Sequence, residues 1–428
     1  MRRMKANTLR LDPTSEQLHT LHLLGDRVSA LWNAANYASR QAFLSGDKVP
    51  SYASLCRVFQ GHEAYRAFPS DVAQEVLKKL REAWTSYFGL RKRWKAGNLR
   101  DKPGLPTYRK DRQRGTRPTD FIPIKNDRAY GVESRSVSVT LPRDLRDQGR
   151  LVLSYRGIRR YQGKGGRAEM QFDASRGRWY FRYSVQVLDT PSKPWTRVAG
   201  IDLGLRVMAS LSIEGIANAW HFLGREAMKD FEYWSAKLAT HQQALSHRGK
   251  RTSKRLKRFY RMRKNRLRHA VDTMAKRLAS ACRRHKVGHV LLGWPKGILL
   301  ETRANPTWQR LRHVFWSFDY VSSRVELALR RVGIRVERVG ERGTSSTFCT
   351  CGSKRVVRRP RHVLRCQDCQ FKCHSDQAGS RNIVRQRYPE TTWAGLEASP
   401  KPKTYRWTRH RWVDASNPAI YQVADLAA

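Results

Sequence analysis

Apolar positions in the first half of the chain change spacing three times, and each change predicts a different kind of element. Residues 4–11 alternate as in a short strand, and helical spacing begins after Pro13 and continues through residues 51–96. Strand-like alternation returns from 121 to 188, where glycine-containing turns separate the apolar runs. The pattern predicts a β-barrel with helices inserted after its first strand, and a boundary near residues 191–195.

The second half of the chain predicts an α/β domain. Residues 198–212 (VAGIDLGLRVMASLS) have the pattern of a hairpin of two apolar strands, and a long helical stretch broken near 247–250 follows over 226–286. Short buried strands at 287–292 and 333–339 enclose a helix at 308–332. The whole chain is therefore expected to be a multidomain α+β protein.

Two carboxylates stand out in this half. Asp202 lies in an apolar strand, where a buried acid needs a charge partner or a metal, although an aspartate that caps a turn is the simpler alternative. Asp376 opens a predicted helix in the stretch HSDQAGSRNI. Carboxylate oxygens are the ligands that Mg²⁺ prefers. Together the two motifs resemble the first and third acidic motifs of a RuvC-type, RNase H-like nuclease.

The charge of the chain indicates a polyanionic partner. Its 428 residues carry 85 Lys and Arg against 35 Asp and Glu, a formal charge of +50, while a hydrophobic content of 40% supports real cores. Such a charge repels itself unless nucleic acid neutralises it. No run of about 18 apolar residues is present, so no membrane span is expected, and we interpret the protein as soluble and intracellular.

Clustered cysteines predict a structural zinc site. Cys349, Cys351, Cys366 and Cys369 form two close pairs that can complete a tetrahedron when the segment between them folds back. The first pair is separated by one residue rather than two, which leaves open whether Cys373 replaces one of the four ligands. A ribbon that has lost its metal and is held by packing alone is the alternative.

The chain as a whole resembles transposon-associated TnpB nucleases and the compact type V CRISPR effectors related to them. The resemblance covers roughly residues 1–388, and its most specific parts are the segments 341–346 and 376–383. It also includes these weaker features: Arg27, Trp32-Asn33-Ala34, Pro103-Gly104-Leu105-Pro106 and the Asp202 hairpin.

The resemblance implies a domain order. It comprises a wedge-like β-barrel (1–12 and 120–190), an inserted helical recognition lobe with a basic loop (13–119), a RuvC-like nuclease domain (196–342 and 374–388), a zinc-ribbon-like insertion that loads the target (343–373), and a disordered tail (389–428). The basic loop over 97–119 is expected to stay irregular until an anion orders it.

The third magnesium ligand is displaced from its usual place. Family members commonly end the strand before the long helix with a catalytic glutamate, but Gly293 stands there in this chain. Some members look rearranged, with the glutamate at the end of the next strand, where this chain has Glu341. The resemblance therefore implies that Asp202, Glu341 and Asp376 are the catalytic ligands of two magnesium ions. A surface role for Glu341 is the alternative, and Glu301 in a polar loop is a poorer candidate.

Two functions follow as hypotheses. The first is an RNA-guided, Mg²⁺-dependent endonuclease that cuts double-stranded target DNA beside a short adjacent motif. The second is a nuclease-dead RNA-guided DNA-binding protein that represses transcription. A nucleic-acid-binding scaffold without a guide RNA fits the charge but leaves the two acidic motifs unexplained. The resemblance places the protein in the cytoplasm of a prokaryotic cell.

Overall fold

The computed structural model divides the chain into two units, Met1–Leu188 and Asp189–Ala428. Their boundary lies just before the predicted one. The structure describes residues 2–99, 101–109, 121–125, 129–188, 190–294, 317–340, 344, 349, 351–360, 362–391, 393 and 401–415. None of the helices in these ranges has the length and apolar character that crossing a membrane would need.

The first unit is built on an antiparallel sheet of seven strands. Its strands are β1 (Arg2–Leu11), β2 (Phe121–Ile124), β3 (Tyr130–Val132), β4 (Ser136–Thr140), β5 (Arg150–Arg156), β6 (Lys164–Asp173) and β7 (Arg178–Leu188), in the spatial order β2-β6-β7-β1-β5-β4-β3. β1 lies at the centre, since it pairs with β7 along its length and with β5 at its end. The predicted barrel is thus present as a half-barrel sheet.

Between β1 and β2 the part of the chain that the structure describes forms four helices, as the apolar spacing predicts. They are α1 (Ser15–Leu44), α2 (Tyr52–Phe59), α3 (Glu63–Arg66) and α4 (Ser70–Lys95). α1 begins where it does because Thr14 and Gln17 form a capping box, in which each side chain accepts from the other's backbone N–H. Leu21, Val28, Leu80 and Trp84 are fully buried in one core with residues of the sheet.

Part of the predicted basic loop is ordered by the protein itself. The backbone carbonyl of Pro106 accepts from Asn36 and Arg40, and that of Thr107 accepts from the indole of Trp32. Asn33 binds the backbone N–H and carbonyl of Arg109. The expectation that this loop needs an anion is therefore wrong for residues 101–109. Residues 110–120 lie outside the described residues.

The second unit is built on a mixed sheet of seven strands. These are β8 (Arg197–Asp202), β9 (Val207–Ile213), β10 (Trp220–Leu223), β11 (Val287–Trp294), β12 (Arg335–Gly340), β16 (Lys403–Trp407) and β17 (Trp412–Asp414), in the order β12-β11-β8-β9-β10-β16-β17. β8, β11 and β12 run parallel, and β9 is antiparallel to β8. Carboxyl ends of three strands therefore meet at one edge of the sheet.

The described residues of this unit form four helices beside the sheet: α5 (Arg225–Ser246), α6 (Lys254–Arg284), α7 (Phe318–Arg331) and α8 (Ser375–Arg385). The break between α5 and α6 confirms the predicted helical hairpin. α6 and α7 bury Val271, Met274 and Val325 in a core that includes Ile201 and Leu292 from the sheet. A third, small sheet contains β13 (Val356–Val357), β14 (Val363–Cys366) and β15 (Lys372–His374).

The predicted disordered tail is wrong for residues 401–415. β16 pairs in parallel with β10, and β17 returns antiparallel to β16. Tyr405, Trp407 and Trp412 are buried, and the indole of Trp412 donates to the carbonyl of Ala270 on α6. Buried aromatic side chains supply the area that holds so short a hairpin on the sheet.

Candidate metal centres

Strand β8 presents its two faces to different partners. Ala199 and Ile201 belong to the core that α6 and α7 cover. Since side chains alternate along a strand, Gly200 and Asp202 lie on the opposite face. That face carries α8, because an added Cβ on Gly200 would lie 1.9 Å from the carbonyl oxygen of Ser380. Asp202 is therefore at the carboxyl end of β8, on the face that α8 covers.

Serine hydroxyls fix α8 on this face. The hydroxyl of Ser380 lies 2.7 Å from that of Ser212 and 3.3 Å from that of Ser210, and all three side chains are buried. Ser212 is paired with Gly200, and Ser210 with Asp202, across β8 and β9. Small residues on two strands thus let the helix backbone approach the sheet closely.

Four residues along α8 cover about the same distance as two residues along β8. Val384 packs with Val198, and Ser380, four residues earlier on α8, sits over Gly200, two residues later on β8. Four helical residues rise about 6 Å and two strand residues span about 6.7 Å. One further step in the same direction leads to Asp376 on the helix and Asp202 on the strand. The two predicted acids therefore share one end of the α8–β8 contact.

Asp376 is held in a cationic environment. Burial is the largest influence and raises the pKa of its carboxyl, while His374, Arg358 and Arg206 act in the opposite direction. His374 also caps α8, since its Nδ1 accepts the backbone N–H of Asp376 at 3.2 Å. Sequence reasoning missed Arg206 and Arg358, because neither belongs to an acidic motif. A partly buried carboxylate whose charge is costly is a suitable cation ligand.

The strand neighbours of β8 bear on the third ligand. β11 separates β8 from β12, and Gly293 and Trp294 of β11 are paired with Val339 and Gly340 of β12. Gly293 supplies no carboxylate at the tip of β11. Position 341 directly follows the last residue of β12 in the sequence, but Glu341 itself lies outside the described residues, as does Glu301.

The four predicted zinc ligands come together. The sulfurs of Cys349, Cys351, Cys366 and Cys369 all lie within 4.8 Å of one another. Sγ of Cys349 is 3.6 Å from that of Cys369, and Sγ of Cys351 is 3.7 Å from that of Cys366. Ligands placed about 2.3 Å from a tetrahedral zinc would be separated by about 3.8 Å. The four cysteines could therefore hold a metal ion such as zinc.

Cys373 stands apart from this cluster. It is buried beside Phe371 and Ala378, and burial raises the pKa of its thiol to about 11. Among the four clustered cysteines, burial raises the pKa of Cys349 and Cys369. Burial also acts to raise the pKa of Cys366, but the backbone N–H groups of Cys369 and Asp368, together with the thiols of Cys369 and Cys351, outweigh it and lower that pKa to about 7. A thiol that ionises near neutrality is ready to bind a metal.

Helix α8 connects the two centres. The magnesium candidate Asp376 lies in its first turn, and its Ala378 packs in the small core of residues 349–373, here called the cysteine module. Arg381 is fully buried and donates to the carbonyl of Ala217. Its guanidinium lies over the aromatic rings of Phe371 and Trp393. The amide of Asn382 donates to the carbonyl of Thr344. The helix that carries Asp376 is thus in direct contact with the cysteine module.

Two family models match separate parts of the chain. Residues 180–299 match the family OrfB_IS605, described as a probable transposase, and residues 318–383 match the Cas12f1-like TNB domain. The first match includes Asp202, and the second includes Asp376 and the four clustered cysteines.

A curated relative aligns along most of the chain. The TnpB-like protein ORF457 of Acidianus two-tailed virus is 27% identical over 414 residues, which are 89% of this chain and 86% of the relative. The solved structure of a Cas12f1–sgRNA–target DNA complex aligns with 89% of this chain and 98% of its own at a TM-score of 0.55 and 15% identity, which shows a shared fold. The chain is thus similar in sequence to a TnpB-like protein over most of its length, and it shares its fold with a Cas12f1 effector.

Proposed function

We propose that the protein is an RNA-guided DNA endonuclease whose RuvC-like site uses Mg²⁺. The single observation that carries this proposal is the register of α8 on β8, which sets Asp376 one step beyond Ser380 and Asp202 one step beyond Gly200. The strand order of the second unit, with β8 flanked by antiparallel β9 and parallel β11, supports an RNase H-like interpretation.

The chemistry asked of this site is phosphodiester hydrolysis. Asp202 and Asp376 would hold magnesium, and Glu341, which follows β12 in the sequence, is proposed as the third ligand. Bound Mg²⁺ stabilises the attacking and leaving oxygens of a phosphodiester. His374 would keep Asp376 in place through its cap of α8, and Arg206 and Arg358 would attract the phosphate backbone.

The partners follow from charge and from the relatives. A net charge of +50 needs a polyanion, and the Cas12f1 structure is a complex with guide RNA and target DNA. We propose the same two partners here, with base pairing reading the target and the half-barrel unit reading a short adjacent duplex motif. The helices inserted in that unit would act as the recognition lobe, and the cysteine module, stabilised by structural zinc, would load the target.

A nuclease-dead RNA-guided repressor is the second candidate function. It is favoured by Gly293, which leaves the tip of β11 without the carboxylate that the family commonly has there. The two candidates share the fold and the partners, and they differ only in whether the acidic site is complete.

The test measures binding and cleavage separately. RNA that copurifies with the protein is sequenced, and a matching DNA target is offered to the parent protein and to Asp202→Ala, Glu341→Ala and Asp376→Ala. We expect each variant to lose cleavage in Mg²⁺ and to keep target binding within about threefold, because one carboxylate contributes little to a basic interface.

Asp319→Ala is the matched control, since this aspartate of the same unit is 80% exposed and should leave cleavage unchanged. If cleavage is instead lost with Glu301→Ala and survives Glu341→Ala, the wrong glutamate has been assigned. A parent protein that binds its target and does not cut it in Mg²⁺ or Mn²⁺ is the repressor.

A further inference from the structure

An open cleft of about 430 Å³ lies in the first unit, between the end of α1 and the second half of α4. Its volume falls within the range of about 300–1,000 Å³ that small-ligand sites occupy. The residues that line it are Phe43, Gly46, Asp47, Lys48, Val49, Arg81, Phe88 and Arg91. No motif of the metal centres includes any of them.

The cleft exists because α1 stops while α4 continues. Gly46 adopts a positive φ of 85°, and the backbone N–H of Asp47 donates to the carbonyl of Ala42, so the chain turns sharply away after Leu44. Phe43 remains against the aromatic rings of α4, with its ring centroid 5.6 Å from that of Trp84. Two of the residues that line the cleft, Phe43 and Phe88, are therefore aromatic.

The walls of the cleft are cationic. Lys48, Arg81 and Arg91 line it against a single carboxylate, Asp47. The guanidinium of Arg91 lies 5.4 Å from the ring centroid of Phe43. One guanidinium nitrogen of Arg81, Nη1, is buried and has no hydrogen-bond partner in the part of the chain that the structure describes. Three cationic residues against one carboxylate give the cleft an excess of positive charge.

We propose that this cleft binds one unpaired nucleotide of a nucleic acid strand. Its base would stack on the Phe43 and Phe88 side, because aromatic side chains bind any base through its ring face. Its phosphate would lie on Arg81 and Arg91, whose guanidinium groups match phosphate geometry. The carboxylate of Asp47 can accept from a base amino group.

This binding does not depend on the metal centres. It rests on the proposed function only in requiring contact with a nucleic acid strand, which either the guide RNA or the separated target DNA can supply. Binding of oligonucleotides without magnesium tests it independently of cleavage.

The first experiment compares two charge-matched double variants of the full-length protein. Arg81→Gln with Arg91→Gln removes two cations from the cleft, whereas Lys92→Gln with Lys95→Gln removes two exposed cations from the same helix. Affinity for short single-stranded uridine and thymidine oligonucleotides is measured by fluorescence anisotropy. We expect a loss of about tenfold for the arginine pair and about threefold or less for the lysine pair.

The second experiment locates the base. The same oligonucleotides, carrying 4-thiouridine or 4-thiothymidine, are irradiated on the parent protein, and crosslinked peptides are identified by mass spectrometry. We expect crosslinks at Phe43 or Phe88, and Phe88→Leu, which keeps an apolar side chain without a ring, should weaken binding about fivefold. A preference for the RNA or the DNA probe assigns the source of the nucleotide. Equal losses for the two charge pairs, with no crosslink in the cleft, would overturn the proposal.

Discussion

The carbonyl oxygen of Ser380 occupies the place where a side chain on Gly200 would begin. A Cβ on Gly200 would lie 1.9 Å from that oxygen and 2.9 Å from a methyl group of Val384. Both obstacles belong to α8, and the nearer one is backbone, so it cannot move without the helix. The separation of α8 from β8, and with it the spacing of Asp376 and Asp202, depends on this one missing methyl group.

Gly200→Ala should therefore lower both stability and cleavage. We expect a loss of about 1–3 kcal/mol in the free energy of unfolding, as for other overpacked sites. Urea unfolding and cleavage of a bound target measure the two effects. Gly89→Ala is the control, because nothing lies within 4 Å of its added Cβ and alanine favours helix α4. A Gly200→Ala protein that cuts at the parental rate would separate the acids from this contact.

The cysteine cluster predicts a difference between two neighbouring cysteines. Cys366→Ser should lose bound zinc and lower the unfolding temperature, because a structural zinc site loses its tetrahedron with any one ligand. Cys373→Ser should keep its zinc, since this thiol is outside the cluster although it is also buried. Metal analysis by mass spectrometry and thermal unfolding are the measurements.

Cleavage should fall further in Cys366→Ser than in Cys373→Ser. The physical reason is that α8 packs on the cysteine module through Ala378 and carries Asp376 in its first turn. Full cleavage by a zinc-free protein would reduce the cluster to a packing role.

The C-terminal hairpin should be required for the stability of the second unit. Trp412 is 1% exposed, so Trp412→Ala is expected to lower the free energy of unfolding by about 3–5 kcal/mol. Arg411→Ala, an exposed neighbour in the same hairpin, should change it by less than about 0.5 kcal/mol. The free energies of unfolding of the two variants are compared by denaturant unfolding. Backbone circular dichroism is the signal, because it does not depend on the tryptophan that one variant lacks. Unfolding of the two variants at the same denaturant concentration would show that the hairpin is dispensable.

Because His221 is buried, the stability of the folded protein should decrease at acidic pH. Burial, with a smaller effect from His374, lowers the pKa of His221 from 6.5 to about 3. The unfolded chain therefore binds this proton at higher pH than the folded protein. The free energy of unfolding should therefore be highest above about pH 6.5 and decrease towards pH 3. At pH 5 the protonation of this residue in the unfolded chain should cost about 2 kcal/mol.

His221→Phe keeps a ring against His374 and cannot take up the proton, so its stability should fall less between pH 8 and pH 5. Thermal unfolding at the two pH values checks this. Parallel losses in the parent and the variant would assign the acid sensitivity to other groups.

Local patterns predicted those elements whose apolar residues repeat. The alternation of β4, in which Val137 and Val139 are buried between half-exposed serine and threonine residues, is visible in the sequence. The four zinc candidates were predictable because their spacing is itself the signal. Asp202 and Asp376 were identified by motif, and their common position at the α8–β8 contact became visible only with the fold.

Other features depend on partners that are distant in sequence. β16 has buried Tyr405 and Trp407 in alternation, but five residues among prolines and cations give no clear signal until β10 pairs with them. The amides of Asn33 and Asn36 hold a loop some 70 residues later through its backbone, which no side-chain pattern encodes. The electrostatic effect of Arg206 and Arg358 on Asp376 likewise comes from residues that are distant in sequence.

The position of β1 in the sheet also determines how long this strand waits for its partners during translation. Residues 2–10 pair with residues 180–188, on the far side of the inserted helices. At about 5–20 residues per second, a ribosome needs roughly 10–35 s to make the chain between these two partners. Until β5 is made at residues 150–156, β1 has neither neighbour, and most of its length stays unpaired until β7 follows. An unpaired strand edge is a template for aggregation. The apolar faces of α1 and α4 share a core with the sheet, so they too wait for β7 before they are fully covered.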